Sequence, residues 1–248
     1  MIEVDRLTRK YNTFTAVRDL SFRVESGEVL GLVGPNGAGK TTTLRCIVGI
    51  ISPTLGDVRI DGISVTSNPI AAKRAVAFMP DEPRLFEHLT VREHLQFTAR
   101  IYRVRDFEER ANALLEELEL SSHQQALPHE LSRGMKQKLV IACGLLHSPG
   151  NFLFDEPLTG LDPLGIRRMK TTILERARGG ASVIVSSHLL HLVEEICDRI
   201  LILNGGKKII HGTLAEISGS LPEMRGERSL EELFLHITGR NTPEGPGK

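Results

Sequence analysis

Apolar and polar positions divide the chain into stretches of two kinds. Short apolar runs, some with partial alternation, predict strands at residues 2–7, 16–24, 29–33, 58–60, 75–79, 151–154, 182–186 and 199–203. Elsewhere apolar residues recur at helical spacing. Leu44, Ile47, Val48 and Ile51 mark one helix, and residues 91–102, 107–120 and 132–146 mark three more. The last of these places Met135, Leu139, Ala142 and Leu146 on one face. Residues 163–177 and 188–197 complete the set. Strands alternating with helices predict a layered α/β domain with a mostly parallel sheet. The helical block 83–148 reads as a subdomain inserted into it. Residues 1–82 and 149–215 then form the core. Residues 216–238 form an accessory segment, open to reading as a helix pair or a regulator contact. The Gly- and Pro-rich stretch 239–248 reads as a disordered tail.

Composition narrows the class. The chain has 248 residues, 40% apolar and 25% charged, which fits one or two globular domains. Folding at this length buries roughly 70–75% of the unfolded surface. Equal numbers of basic and acidic residues, 31 of each, argue against a protein built to coat nucleic acid. An aromatic fraction of 4% without Trp is thin for stacking bases. No apolar run approaches the ~20 residues of a membrane-spanning helix, and the first ten residues lack a signal-peptide core. The expectation is a chain that neither spans a membrane nor is exported. Cys46, Cys143 and Cys197 are far apart and apolar-flanked. They read as reduced thiols of a cytosolic protein, not as a disulfide framework or a metal set.

Chemistry enters at Gly34-Pro-Asn36-Gly37-Ala38-Gly39-Lys40-Thr41, which fits G-x-x-x-x-G-K-[ST] between a predicted strand and a predicted helix. Glycines let the backbone turn so that several N–H groups face one oxyanion. The helix starting near Lys40 aims its positive dipole end at the same place. Lys40 would reach the β- and γ-phosphates, Thr41 would ligate Mg²⁺, and Thr42 would bond a phosphate. A second element, Phe152-Leu153-Phe154-Asp155-Glu156, is an apolar strand that ends in two carboxylates. Such a strand delivers a carboxylate at its C-terminal tip, beside the phosphate loop. Asp155 would hold Mg²⁺ through water. Glu156 would orient or deprotonate the attacking water, a role worth about 10²–10⁴ in rate.

Further motifs follow in a fixed order. Leu131-Ser132-Arg133-Gly134-Met135 lies 23 residues before Asp155, measured from Ser132. Leu158-Thr159-Gly160-Leu161-Asp162 comes next, and His188 follows the strand 182–186. Tyr11, Ala16–Val17 and Leu20-Ser21-Phe22 lie near the start. Together these resemble the nucleotide-binding subunit of an ATP-binding cassette (ABC) transporter over roughly residues 1–238. The resemblance implies a P-loop NTPase fold: a RecA-like, mostly parallel sheet core, N-terminal antiparallel strands and an inserted helical subdomain. It implies ATP and Mg²⁺ as ligands. It makes Tyr11 an adenine-stacking aromatic, against the plainer reading of a strand aromatic, and puts Val17 in the nucleotide-binding set. Asp162 becomes part of the D-loop. His188 becomes the γ-phosphate contact, against a satisfied core histidine, whereas His191 reads as helix surface. Ser132, Arg133, Gly134 and Met135 become the signature that meets the ATP of an opposite subunit. Physically, Ser132 is a good helix N-cap, and the helix behind it offers N–H groups and dipole to an anion.

The sequence departs from the family pattern twice. Arg133 replaces a usual glycine, where a cation can approach phosphate or stay solvated. Asp81 fills the slot of the family's glutamine. It is a possible Mg²⁺ ligand, being hard and anionic, or only a turn residue. These departures and Leu230-Glu-Glu-Leu233-Phe234 resemble exporter cassettes with separately encoded permeases. Residues 85–102 would form the groove that receives the permease, although Phe86, Leu89, Leu95 and Phe97 read first as core. The implied partners are an integral-membrane permease and a second cassette, in a homodimer or heterodimer, with no nucleic acid. The implied location is the cytoplasmic face of a membrane. The competing reading is a soluble non-transport ABC ATPase of DNA repair, chromosomes or translation. Against it, the 92 residues from Lys40 to Ser132 carry no sustained heptads, and there is no Cys pair. A regulator that binds without hydrolysing would not need Lys40, Asp155, Glu156 and His188 together.

Overall fold

The computed structural model describes residues 1–219 and 230–239. In chain order the elements are β1 (Ile2–Tyr11), β2 (Phe14–Val24), β3 (Val29–Val33), α1 (Lys40–Ile47), β4 (Leu55–Ile60), β5 (Ile63–Ser64), α2 (Pro69–Arg74) and β6 (Val76–Met79). Then come α3 (Val91–Tyr102), α4 (Phe107–Glu117), α5 (Arg133–Leu146), β7 (Asn151–Asp155), α6 (Pro163–Arg178), β8 (Ser182–Ser187) and α7 (Leu190–Ile196). The last are β9 (Arg199–Asn204), β10 (Lys207–Gly212), α8 (Leu214–Gly219) and α9 (Leu230–Gly239). Of the tail predicted at 239–248, all but Gly239 lies outside the described residues.

Two sheets result. One is antiparallel, in the order β2-β1-β4-β5; the other runs β10-β9-β3-β8-β7-β6. In the second, β3, β6, β7, β8 and β9 pair in parallel, and β10 joins antiparallel at one edge. This is the mixed α/β, P-loop type of fold expected. Both faces of the parallel sheet are covered, so its strands carry near-continuous apolar runs. Along β7 the faces alternate. Phe152 and Phe154 join one core with Leu139, Ala142, Val183 and Val185, while Leu153 joins another with Leu30, Leu32, Leu44 and Ile184. Burying each such side chain contributes about 1.5–3 kcal/mol before the entropy of ordering is subtracted.

The differences from the expected elements have local causes. β1 and β2 continue past their apolar cores into one hairpin, closed at Tyr11↔Phe14, with Asn12 at φ 49°. Backbone pairing sustains it where side chains are polar. α1 stops before Val48 and Ile51, because the chain turns at Gly49, φ 65°. β10 is additional to the expected strands, because Lys207, Lys208 and His211 break its apolar pattern, as suits an edge strand. α2 has only six residues, too few to show a period. α7 begins at Leu190, two residues later than expected, which leaves His188 outside the helix.

Candidate active site

The parallel register brings the ends of three neighbouring strands together. Val33 of β3 pairs with Ser187 of β8, and Asp155 of β7 pairs with Ser186. The phosphate loop, His188 and Glu156 therefore leave the same edge of the sheet, at the C-terminal ends of its strands.

Backbone packing dictates the glycines of the loop. Gly39 sits at φ 102°, and a Cβ there would lie 2.6 Å from the Ala16 carbonyl oxygen. A Cβ on Gly34 would lie 2.4 Å from the Leu203 carbonyl oxygen. No side chain fits at either place. Asn36 and Gly37 are exposed at the loop tip, whereas the Ala38 methyl is buried and its N–H bonds to Pro35. Lys40, 8% exposed, opens α1, and its Nζ donates to the Gly34 carbonyl at 2.7 Å. Burial pushes the Lys40 pKa below its ordinary value, and the nearby Glu156 and Asp155 partly oppose that. Thr41 and Thr42 are half-buried, and the Thr43 hydroxyl is spent on the Gly39 carbonyl at 2.9 Å.

Asp155 is 2% exposed and accepts from Ser186 Oγ at 2.5 Å. Adjacent residues of an extended strand point to opposite faces. Glu156 escapes this by adopting φ 51° immediately after β7. Its carboxylate turns toward the phosphate loop: Oε1 lies 3.9 Å from Lys40 Nζ, and Oε2 lies 2.8 Å from His188 Nδ1. A left-handed conformation in a non-glycine residue costs roughly 1–3 kcal/mol and concentrates at functional sites. His188 is half exposed and pairs with Glu156, so it is not a satisfied core histidine. His191 is exposed on α7.

Thr41, Asp155 and Asp81 all line one groove of about 750 Å³. Three hard oxygen donors facing one space, one of them a buried carboxylate, fit a Mg²⁺ that is otherwise held by phosphates and water. The other end of the groove is apolar. Phe86 and Phe97 line it with 54% and 43% of their surface exposed. The core reading of these two is therefore corrected, while Leu95 is fully buried as expected. Phe86 sits on a loop that bulges from the core, held where its N–H donates to His94 Nε2 at 2.9 Å.

The remaining candidates fall into place unevenly. Tyr11 is 40% exposed at the hairpin end, with the Arg9 guanidinium 4.5 Å from its ring centroid. Val17 is fully buried beneath Gly39, so its side chain supports the loop from below. Ser132 caps α5, accepting from the Met135 N–H at 3.2 Å. Gly134 packs against Gly160, where a Cβ would come 3.2 Å from its carbonyl oxygen. Asp162 caps α6 through the Gly165 N–H at 2.6 Å. Among the described residues Ser132 makes no bond to the cluster around Lys40 and Glu156 of its own chain, and its side chain is exposed. The two departures from the family pattern meet: Arg133 Nη2 lies 3.5 Å from Asp81 Oδ1. Sequence reasoning passed over Ser186. The available signal was a polar pair, Ser186–Ser187, at the end of a strand buried throughout.

The family model described as "ABC transporter" matches residues 17–159. The chain is 36% identical over 242 residues to the ABC-type transporter ATP-binding protein EcsA of Bacillus subtilis (strain 168), covering 96% of each chain. It is 37% identical over 209 residues to the SkfA peptide export ATP-binding protein SkfE of the same organism, covering 84% of this chain and 87% of SkfE. A solved ATP-binding subunit of an ABC transporter superposes with a TM-score of 0.91 at 35% identity, covering 96% of this chain and 99% of that one. The dimeric bacterial ABC transporter cassette MJ0796 superposes with a TM-score of 0.77 at 25% identity, covering 86% and 99%.

Proposed function

This chain belongs to the ABC transporter family as one of its ATP-binding subunits, and from that premise we propose that it drives an exporter whose permease is a separate polypeptide. Subunits of this family bind ATP and couple its hydrolysis to transport. The observation that carries the mechanistic reading is the convergence of Lys40, Asp155, Glu156 and His188 at three adjacent strand ends.

In this reading the loop N–H groups and Lys40 bind the β- and γ-phosphates. Thr41, Asp155 and Asp81 hold Mg²⁺, which supplies charge neutralisation on the phosphate oxygens when bound. Glu156 accepts the proton of the attacking water at a carboxylate oxygen. His188 holds that carboxylate from the exposed side and faces the γ-phosphate. Lys40 and Glu156 share a contact in the present geometry, so nucleotide entry draws Lys40 toward phosphate and frees Glu156 for water. The exposed cap of α5, Ser132 to Met135, offers its hydroxyl and N–H groups to the ATP of an opposite cassette. Tyr11 stacks on adenine, and Asp162 shapes the loop between the two cassettes. Dimerisation is supported by the dimeric relative MJ0796. Residues 83–148 serve as the signature-bearing subdomain, 1–82 and 149–215 as the ATP-binding core, and 216–238 as an accessory segment.

Export is supported by the description of SkfE, a peptide-export ATP-binding protein. Among the described residues no helix is long and apolar enough to cross a membrane. We infer attachment at the cytoplasmic face through the permease, with the apolar end of the groove as the contact. Affinity purification of the tagged chain from detergent-solubilised membranes tests this. An integral-membrane protein is expected to co-purify in stoichiometric amount. Recovery of the chain from cytosol alone, or with nucleic acid, overturns the transporter reading in favour of the soluble one.

A further inference from the structure

Ser186 is fully buried near the end of β8 and belongs to none of the motifs above. Its hydroxyl touches both functional acids. Oγ donates to Asp155 Oδ1 at 2.5 Å and accepts from the Glu156 N–H at 3.2 Å. That N–H also reaches the Ser186 carbonyl at 3.1 Å. We propose that Ser186 is a positioning residue that holds the two adjacent carboxylates in their different tasks, Asp155 toward the metal and Glu156 toward the water.

The reasons are stereochemical. A hydroxyl carries one proton and two acceptor sites. Committing the proton to Asp155 Oδ1 fixes the rotation of that carboxylate and leaves Oδ2 to face Mg²⁺ or its water. Asp155 is almost wholly buried, so an oxygen without a donor there would lose solvation as well as orientation. The acceptor side acts on the backbone. Glu156 reaches the site only because of its left-handed turn, and its N–H must find a partner inside the protein. Ser186 supplies that partner twice, from its side chain and its carbonyl. The parallel pairing Asp155↔Ser186 places the hydroxyl where both groups meet. A serine present only to satisfy its own hydroxyl would need one of these contacts, not both. The proposal rests on the reading of Asp155 as the metal-side carboxylate. Partners that orient a metal ligand typically change metal affinity or activity 10–100-fold when removed.

The test compares Ser186→Ala, Ser186→Thr and Asp155→Asn in the full chain. ATP affinity is measured in EDTA, and the Mg²⁺ concentration giving half-maximal thermal stabilisation is measured at saturating ATP. Steady-state ATPase kinetics complete the set. Expected for Ser186→Ala is metal-free ATP affinity within about twofold of wild type, a Mg²⁺ midpoint raised about tenfold, and kcat lowered about tenfold with KM little changed. Ser186→Thr, which keeps the hydroxyl, is expected to restore most of both. A wild-type Mg²⁺ midpoint in Ser186→Ala overturns the proposal. So does a metal-free ATP affinity that falls in proportion, or a Thr variant as impaired as Ala, since either marks a packing role alone. If Asp155→Asn keeps the wild-type Mg²⁺ response, the assignment of Asp155 itself fails, whatever Ser186 does.

Discussion

Glu156 owes its place to one backbone angle. Had β7 continued extended, its carboxylate would face away from Asp155 and the phosphate loop. The turn at φ 51° brings it to Lys40 and His188 instead. Its amide form keeps the shape and the turn but cannot take a proton from water. Glu156→Gln is therefore expected to bind ATP at near wild-type affinity and to lose at least about 10²-fold in kcat, the lower bound for a positioned base. It should also persist as an ATP-bound dimer, visible by size-exclusion chromatography with ATP. Turnover within twofold of wild type would remove Glu156 from the base role. At this scale the residue types were legible in the sequence, because a G-x-x-x-x-G-K-T loop and paired acids behind an apolar strand have few other uses. The left-handed turn was not, since nothing about a glutamate announces a positive φ.

At the scale of elements, helix ends and strand ends carry the chemistry. α5 was legible with its cap because Ser132 interrupts the pattern just before the periodic face begins. α9 was legible only as one of two open readings of the late segment, a helix pair or a regulator contact, and the structure does show helices there, α8 and α9. The structure buries Leu230 and Leu233 fully, in one cluster with Val193 of α7, Val33, Ile200, Ile202 and Ile217. The Leu230 N–H also donates to Glu194 on α7 at 3.2 Å. The role of the late segment, left open by the sequence, thus begins with bracing the helix that follows His188. Leu233→Ala is expected to lower the unfolding free energy by about 2–5 kcal/mol, the usual range for a buried Leu. Urea denaturation followed by circular dichroism measures it. A loss under about 1 kcal/mol would mean that α9 is peripheral to the fold.

At the scale of the molecule, burial makes several histidines sensitive to acid. Burial lowers the pKa of His94 and His147, and it lowers that of His211 to about 4, helped by Arg199 and Lys208 and opposed by Glu216. Unfolded histidine titrates near pH 6.5. Below that pH the unfolded chain binds protons that the folded chain refuses. Stability is then full above about pH 6.5 and falls as the pH drops, levelling only below the folded-state values. The urea midpoint is expected to decline from pH 7.5 to 5, and to decline less in His211→Gln. A midpoint flat or rising across that range would count against these buried neutral imidazoles. His94 adds a local consequence, because its neutral Nε2 accepts the Phe86 N–H and so helps hold the apolar wall of the groove.

The sequence by itself determined the α/β class, the order of most strands and helices, the phosphate loop and the family. Those rest on local signals: apolar periodicity, glycines where only glycine fits, and polar residues at the tips of buried strands. Only the tertiary structure decided what lies beside what. Parallel pairing joined Asp155 to Ser186 and Val33 to Ser187, across about 31 and 154 residues of chain respectively. Packing outside the sheet brought Arg133 to Asp81, two separate departures from the family pattern, and left Phe86 and Phe97 exposed although their apolar type reads first as core. Such contacts depend on register and on which faces find cover, and neither quantity is written in any single stretch of residues.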